Sequence, residues 1–281
     1  MTTDARFKLE RRGEVPEKNP DKTDFYRATL ELFNREGLPF LVGGTHAYYR
    51  YTGIARETKD FDVFIRRDDY PRFEKAVQEA GYETELKFPH WLGKIYKDDA
   101  FIDLIFSGGN GEAAVDDEWF EHSVEGKIFG GVPVRLAAPE EMIWSKSYVM
   151  ERERYDGGDV MHLLLRTGKR LDWKRLLHRF GDHWRLLLMQ IVKFGFVYPS
   201  ERFRIPREVT EELMARFQAE ANDRSPAQKV TYGTLTSRAQ YLIDVQEWGF
   251  EDARLAPHGL LTPEQVEHWT EAIHEPQRKE R

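Results

Sequence analysis

Residues 40–65 read FLVGGTHAYYRYTGIARETKDFDVFI, and this stretch decides the fold. The apolar run before Gly43 and Gly44 is typical of a buried strand that ends in a turn. A short helix is expected after the two glycines, and a second apolar strand starts at Phe61. The order strand, turn, helix, strand indicates a domain that combines a β-sheet with packed helices.

The sequence around this stretch continues the same pattern as far as Pro139 and then becomes helical. Apolar spacing predicts helices at 24–35 and 70–80, and strands at 82–88, 91–96, 101–106 and 132–136. After Pro139, helices are expected at 140–152, 158–166, 173–180, 182–194 and 236–248. The predicted fold class is α+β, with a mixed β-sheet flanked by helices and followed by a mostly helical C-terminal domain. The predicted boundaries are an N-terminal arm 1–23, a catalytic domain 24–138, a helical domain 139–221 and an extension 222–281.

The composition excludes several classes of protein. Of the 281 residues, 40% are hydrophobic and none is Cys, which excludes disulfides, thiolate zinc sites and a cysteine nucleophile. The sequence has no apolar run of about 18 residues, so no membrane partner is expected. Residues 1–23 are polar and lack the apolar core of a signal peptide, which suggests a cytoplasmic protein. A net charge of −7 argues against nonspecific nucleic-acid binding.

Three aspartates occur in apolar strand patterns. Asp60 and Asp62 flank Phe61, and alternation along a strand points their carboxylates to the same face. Asp103 interrupts another apolar strand, where an unpaired acid is costly to bury. Clustered carboxylate oxygens suit Mg²⁺, so we expect Asp60, Asp62 and Asp103 to hold two Mg²⁺ ions about 3.5–4 Å apart, with Mn²⁺ as a substitute.

Two structural alternatives to this metal site stay open at the sequence level. Asp60 and Asp62 are also compatible with a solvated strand face. Asp103 is also compatible with a buried ion pair to Arg56 or Lys94.

The turn at Gly43 and Gly44 predicts a second element of the site. A turn between a strand and a helix exposes backbone N–H groups and the positive end of the helix dipole, which suit anionic phosphates. Thr45 adds a hydroxyl group next to this turn. We therefore expect Gly43, Gly44 and Thr45 to bind the phosphates of a nucleotide.

These motifs together resemble a known superfamily. The order Val42-Gly43-Gly44, Lys59-Asp60-Phe61-Asp62-Val63 and Ile102-Asp103-Leu104 is similar to that of nucleotidyltransferases, which include DNA polymerase beta, CCA-adding enzymes and aminoglycoside nucleotidyltransferases. Within the superfamily, the chain is more similar to the bacterial abortive-infection toxin nucleotidyltransferases. The resemblance covers roughly residues 36–166. It implies transfer of a nucleoside monophosphate from an NTP such as ATP to an acceptor hydroxyl, with release of pyrophosphate.

The resemblance also implies roles for two residues beyond the sheet. Lys146 corresponds to a helix lysine that contacts the triphosphate, and Asp159 corresponds to a downstream acid that positions it or helps to activate the acceptor. The sequence leaves Asp156 as an alternative to Asp159, which is favoured because it opens a helical stretch. The competing structural interpretations are a surface lysine for Lys146 and a helix cap for Asp159.

Basic residues are concentrated after these motifs. Residues 159–204 contain ten basic and four acidic side chains, a net charge of +6. Arg175 and Arg179 are one helical turn apart and share a helix face. We expect them to contact the phosphates of an RNA-like acceptor, the alternative being a solvated helix face.

The sequence as a whole therefore predicts a metal-dependent nucleotidyltransferase. Its partners are an NTP and an acceptor, for which the sequence leaves tRNA or another RNA, a protein, or a small molecule open. The alternative function is a catalytically inactive nucleotidyltransferase-fold protein with a binding or regulatory role, for example one half of a toxin–antitoxin pair.

Overall fold

The computed structural model describes residues 20–56, 58, 60–225 and 227–273. These residues divide into two compact units. One unit contains the described residues up to Ala138 together with those from Leu261 onward, and the other spans Pro139–Leu260. The predicted extension 222–281 is therefore divided between the two units at Leu261. Most of the predicted N-terminal arm, residues 1–19, lies outside the described residues, as does Lys59.

The helices and strands have the following bounds within the described residues. The strands are β1 Leu41–Val42, β2 Phe61–Phe64, β3 Glu83–Phe88, β4 Leu92–Lys97, β5 Ala100–Ile105, β6 Val124–Ile128, β7 Val132–Leu136, β8 Val230–Thr231 and β9 Glu251–Asp252. The α-helices are α1 Pro20–Arg35, α2 Gly44–Thr52, α3 Tyr70–Glu79, α4 Asp117–Glu121, α5 Pro139–Lys146, α6 Gly157–Thr167, α7 Trp173–Phe180, α8 Trp184–Val197, α9 Arg207–Asn222, α10 Leu242–Gln246 and α11 Pro263–Glu271. None of these helices has the length and apolarity needed to cross a membrane.

A mixed β-sheet forms the centre of the first unit. Its described strands lie in the order β3-β4-β5-β2-β1-β7-β6. The pairs β2–β5 and β1–β7 are parallel, and the other neighbouring pairs are antiparallel. With helices packed on this sheet and a largely helical second unit, the α+β fold class expected from the sequence is confirmed.

Strand β2 separates the apolar core from the acidic residues. Phe61 and Val63 are fully buried, and Tyr26 of α1 stacks on Phe61 with a ring-centroid distance of 5.0 Å. Because side chains alternate along a strand, Asp62 and Phe64 point to the opposite face of the sheet. The tight packing of one face of β2 therefore fixes the position of the carboxylate on the other face.

The second unit is stabilised by buried charges between α5 and α7. Glu140 and Glu141 are fully buried in the first turn of α5. Arg175 of α7 contacts both, with a distance of 2.9 Å from its Nη2 to Glu140 Oε2. Arg179 Nε lies 3.5 Å from Glu141 Oε1. Burial raises the pKa of Glu141 to about 7, although the neighbouring Arg175 lowers it.

These ion pairs involve Arg175 and Arg179, the two residues expected from the sequence to contact an acceptor. The two side chains are only 7% and 6% exposed, and both face buried carboxylates. The sequence indicated their common helix face but not these partners. Their carboxylate partners lie more than 30 residues earlier in the chain, a distance at which spacing along one helix carries no information.

Several predicted element boundaries also differ from the structure. The helix expected over 140–152 ends at Lys146, because the chain then turns back to form an isolated bridge between Met150 and Tyr155. The helix expected over 236–248 is limited to Leu242–Gln246. Elements that the sequence did not predict are α4, β6, α9, β8, β9 and α11; α4 and β6 are five residues long, and β8 and β9 are two.

Replacing Arg175 by Met tests whether the α5–α7 ion pairs are structural. The substitution removes a guanidinium group that contacts both buried acids, Glu140 and Glu141, so we expect the free energy of unfolding to fall by about 3–5 kcal/mol. Urea denaturation measures this change. The control is Lys174→Met on the exposed side of α7, which should change the free energy by about 0.5 kcal/mol or less. Equal effects of the two substitutions would contradict a structural role.

Candidate metal centre

Three carboxylates converge on one face of the central sheet. Asp60, Asp62 and Asp103 each offer one oxygen, and these oxygens all lie within 4.8 Å of one another. The parallel pairing of β2 with β5 causes this convergence, because Asp62 and Asp103 are directly opposed in register. The donor set consists only of carboxylate oxygens, which are the ligands that Mg²⁺ and Mn²⁺ prefer. The three residues therefore fit a divalent metal ion.

The three acids differ in their exposure to solvent. Asp103 is buried, whereas Asp60 and Asp62 are only partly buried. Asp60 lies immediately before β2, where the hydroxyl of Thr58 contacts its carboxylate and lies 3.0 Å from its backbone oxygen. The cluster is thus anchored in the sheet at Asp103 and accessible to a ligand at Asp60 and Asp62.

The two glycines after β1 make room for this cluster. A Cβ atom at Gly44 would lie 1.8 Å from Asp62 Oδ2, and a Cβ atom at Gly43 would lie 2.0 Å from the Phe64 ring. The backbone of Gly44 also has a φ of +49°, which favours glycine. The backbone N–H of Gly43 donates a hydrogen bond to the carbonyl oxygen of Asp62 over 3.1 Å. The turn therefore packs directly against Asp62.

This turn leads straight into helix α2. Gly43 is the N-cap residue of α2, Gly44 is its first residue, and the half-buried Thr45 is its second. The first backbone N–H groups of a helix lack acceptors within the helix, and they carry the positive end of its dipole. Because Gly44 contacts the Asp62 carboxylate, this helix terminus begins beside the carboxylate cluster.

Lys94 lies beside the third acid. It is paired with Asp103 across the antiparallel strands β4 and β5, and its Nζ is 2.5 Å from Asp103 Oδ1. Lys94 is one of the two partners that the sequence left open for Asp103. The other, Arg56, donates a hydrogen bond to the hydroxyl of Tyr48 over 3.2 Å.

A second group of charged residues lies in the helical unit. Lys146 Nζ is 2.7 Å from Asp156 Oδ2 and 2.9 Å from Asp159 Oδ2. Burial alone would raise the pKa of Asp156, but Lys146 and Arg154 lower it below its usual value. The two acids between which the sequence left a choice thus bind the same lysine. Lys146 is 16% exposed, and Asp159 lies inside the first turn of α6 rather than at its N-cap.

Thr58 contacts the site but was not predicted from the sequence. Its hydroxyl group contacts Asp60 from only two residues away, but Thr is common in loops and forms no recognisable spacing with the acids. The only signal available in the sequence was the position of Thr58 in the short segment directly before β2.

Comparisons with known proteins give structural likenesses only. No protein-family model and no curated protein matches the chain. Among solved structures, the antibiotic-resistance factor ANT(2'')-Ia is 17% identical, with 72% of this chain and 93% of that chain covered and a TM-score of 0.38. Lincomycin-bound LnuA, a lincosamide antibiotic adenylyltransferase, is 17% identical over 54% of this chain and 98% of that chain, with a TM-score of 0.37. JHP933 from Helicobacter pylori is 13% identical over 74% of this chain and 98% of that chain, with a TM-score of 0.38.

Replacing Gly44 by Ala tests the contact between the turn and the acids. The new methyl group would displace the Asp62 carboxylate, so we expect Mn²⁺ to bind at least about tenfold more weakly. The control is Gly37→Ala, because Gly37 also has a positive φ, +61°, but nothing lies within 4 Å of its added Cβ. Both variants should lose about 1–2 kcal/mol of stability through backbone strain. Isothermal titration with Mn²⁺ measures the difference, and equal Mn²⁺ affinities in the two variants would contradict the proposed packing.

Proposed function

We propose that this chain is a metal-dependent nucleotidyltransferase that transfers a nucleoside monophosphate from an NTP to an acceptor hydroxyl. The observation that carries this proposal is the convergence of Asp60, Asp62 and Asp103 beside the Gly43-Gly44 turn. At such a site, carboxylates that can bind a divalent cation lie next to helix N–H groups that can bind phosphate. The resemblance of the sequence motifs to nucleotidyltransferases supports the same reaction.

The proposed reaction exchanges one bond to phosphorus for another. The acceptor oxygen forms a bond to the α-phosphorus, and the bond from that phosphorus to the oxygen leading to the β-phosphate breaks. Pyrophosphate leaves with this oxygen, and the proton of the acceptor hydroxyl passes to solvent. When bound, Mg²⁺ or Mn²⁺ supplies the Lewis acidity that activates the acceptor oxygen and offsets charge on the leaving pyrophosphate.

The chain itself contributes positioning and electrostatics. Asp60, Asp62 and Asp103 hold the cations. The backbone N–H groups at the start of α2, with the Thr45 hydroxyl, bind phosphate oxygens. In the helical unit, the resemblance implies that Lys146 contacts the triphosphate. Ion pairs with Asp156 and Asp159, over 2.7 and 2.9 Å, hold its ammonium group.

The acceptor class is tested directly by transfer of label. The protein is incubated with each NTP labelled at the α-phosphate, with Mg²⁺ or Mn²⁺, and with total RNA, total protein or small polyhydroxyl compounds. We expect label in one of these fractions, and none when EDTA is present. A protein that binds Mn²⁺ and NTP but transfers no label in any fraction would instead have the non-catalytic binding role.

Replacing Asp62 by Asn tests the role of the carboxylates. The change removes one negative charge from the metal ligands, which should cost several kcal/mol of transition-state stabilisation and thus at least about a hundredfold in rate. In EDTA, the thermal midpoint should be unchanged or higher, because repulsion among the acids is reduced. The control is Asp99→Asn, at an exposed position between β4 and β5. A rate equal to that of the control would refute the assignment.

Replacing Lys146 tests the proposed contact with the triphosphate. Lys146→Met should weaken NTP binding about tenfold or more, because a charge-assisted hydrogen bond is lost. Mn²⁺ binding in the absence of NTP should be unchanged. Lys146→Arg preserves the charge beside Asp156 and Asp159 and controls for loss of structure. A normal NTP affinity in the folded Met variant would exclude Lys146 from the nucleotide site.

A further inference from the structure

Lys94 contacts two side chains of strand β5 next to the carboxylate cluster. Its Nζ lies 2.5 Å from Asp103 Oδ1 and 4.1 Å from the centroid of the Phe101 ring. Phe101 and Asp103 are on the same strand, two residues apart, so both side chains point to the face from which Lys94 approaches. The side chains of Lys94 and Asp103 are only 16% and 13% exposed. The ammonium group is therefore a fixed part of the site.

A fixed cation at this position acts on the cluster as a whole. Ionised carboxylates whose oxygens lie within 4.8 Å of one another repel each other strongly, and Lys94 offsets one of the negative charges. The same positive charge repels any metal ion that enters the cluster. Because Asp103 is buried, solvent screens these interactions less than it would on an exposed surface.

We propose that Lys94 is a positioning residue that stabilises the carboxylate cluster before metal binds and, by its charge, lowers the affinity of the cluster for divalent cations. This inference rests on the proposed metal-dependent function. Lys94 acts through Asp103 by fixing one oxygen of that carboxylate. The site is thus formed in advance of its metal, and weaker metal binding is the cost.

An ion pair with a purely structural role would have different consequences. If Lys94 only kept Asp103 in place, its removal would loosen the third ligand and weaken metal binding together with stability. If Lys94 acts by its charge, its removal lowers stability without metal but strengthens metal binding. In the second case stability falls while metal affinity rises, so measuring both quantities distinguishes the two roles.

The test compares Lys94→Met with the wild-type protein. In EDTA, the thermal midpoint of the variant should be lower, because the buried Asp103 loses the ammonium group of Lys94. With Mn²⁺ alone as the probe, isothermal titration should give a dissociation constant about tenfold lower than that of the wild type. The rise in thermal midpoint on addition of Mn²⁺ should be correspondingly larger.

Three further variants complete the experiment. Lys94→Arg keeps the charge and should bind Mn²⁺ within about twofold of the wild type. Lys94→Gln keeps a hydrogen-bond donor for Asp103 without a charge, so it should fold even if the Met variant does not, and it should also bind Mn²⁺ more tightly. Lys97→Met changes an exposed lysine at the end of the same strand and should alter neither property.

The outcomes separate this inference from the proposed function. Tighter Mn²⁺ binding by Lys94→Met or Lys94→Gln, with wild-type affinity in Lys94→Arg, supports the inference. Unchanged or weaker Mn²⁺ binding by the neutral variants, in a wild-type protein that does bind Mn²⁺, overturns the inference and leaves the metal site intact. A wild-type protein that binds no Mn²⁺ overturns both.

Discussion

Repulsion between carboxylates is the constraint on which the rest of the first unit depends. Asp62 and Asp103 are neighbours on adjacent parallel strands, and Asp60 joins them from the segment before β2. Such a cluster is stable only if backbone and side chains hold it against its own charge. The strand register, the Thr58 hydroxyl and Lys94 all serve this purpose. The site is thus a consequence of how the sheet is paired, and any slip in the β2–β5 register would disperse it.

The apolar side of the sheet resists that repulsion. Phe61 lies between Asp60 and Asp62 in sequence but is fully buried on the other face, where Tyr26 and Phe129 pack against its ring. The ring of the buried His46 is nearly perpendicular to it, with a centroid distance of 4.9 Å. Because β2 cannot move without disrupting this aromatic cluster, the energy of core packing maintains the geometry of the acids. The fold therefore couples the stability of the core to the arrangement of the site.

The sequence allowed prediction of those features that depend on local pattern. An acid within an apolar strand is visible in the sequence, so the convergence of Asp60, Asp62 and Asp103 followed from alternation and strand pairing. The ion pairs of Arg175 were not predictable, because Glu140 and Glu141 lie in a different helix and carry no marker of their partner. Short elements such as α4 and β6 were missed for a related reason. Five residues give too little periodicity to distinguish a helix or strand from a loop.

Accessibility distinguishes the α5–α7 ion pairs from the aspartate cluster. Glu140 and Glu141 are fully buried and face the guanidinium groups of α7, so no ligand can reach them without opening the helical unit. Asp60 and Asp62 are only partly buried, and Gly44 brings bare backbone against the Asp62 carboxylate. Complete burial of three ionised carboxylates would carry a large desolvation cost. The partly buried side of the aspartate cluster avoids that cost, and it is the arrangement that binding a ligand from solvent requires.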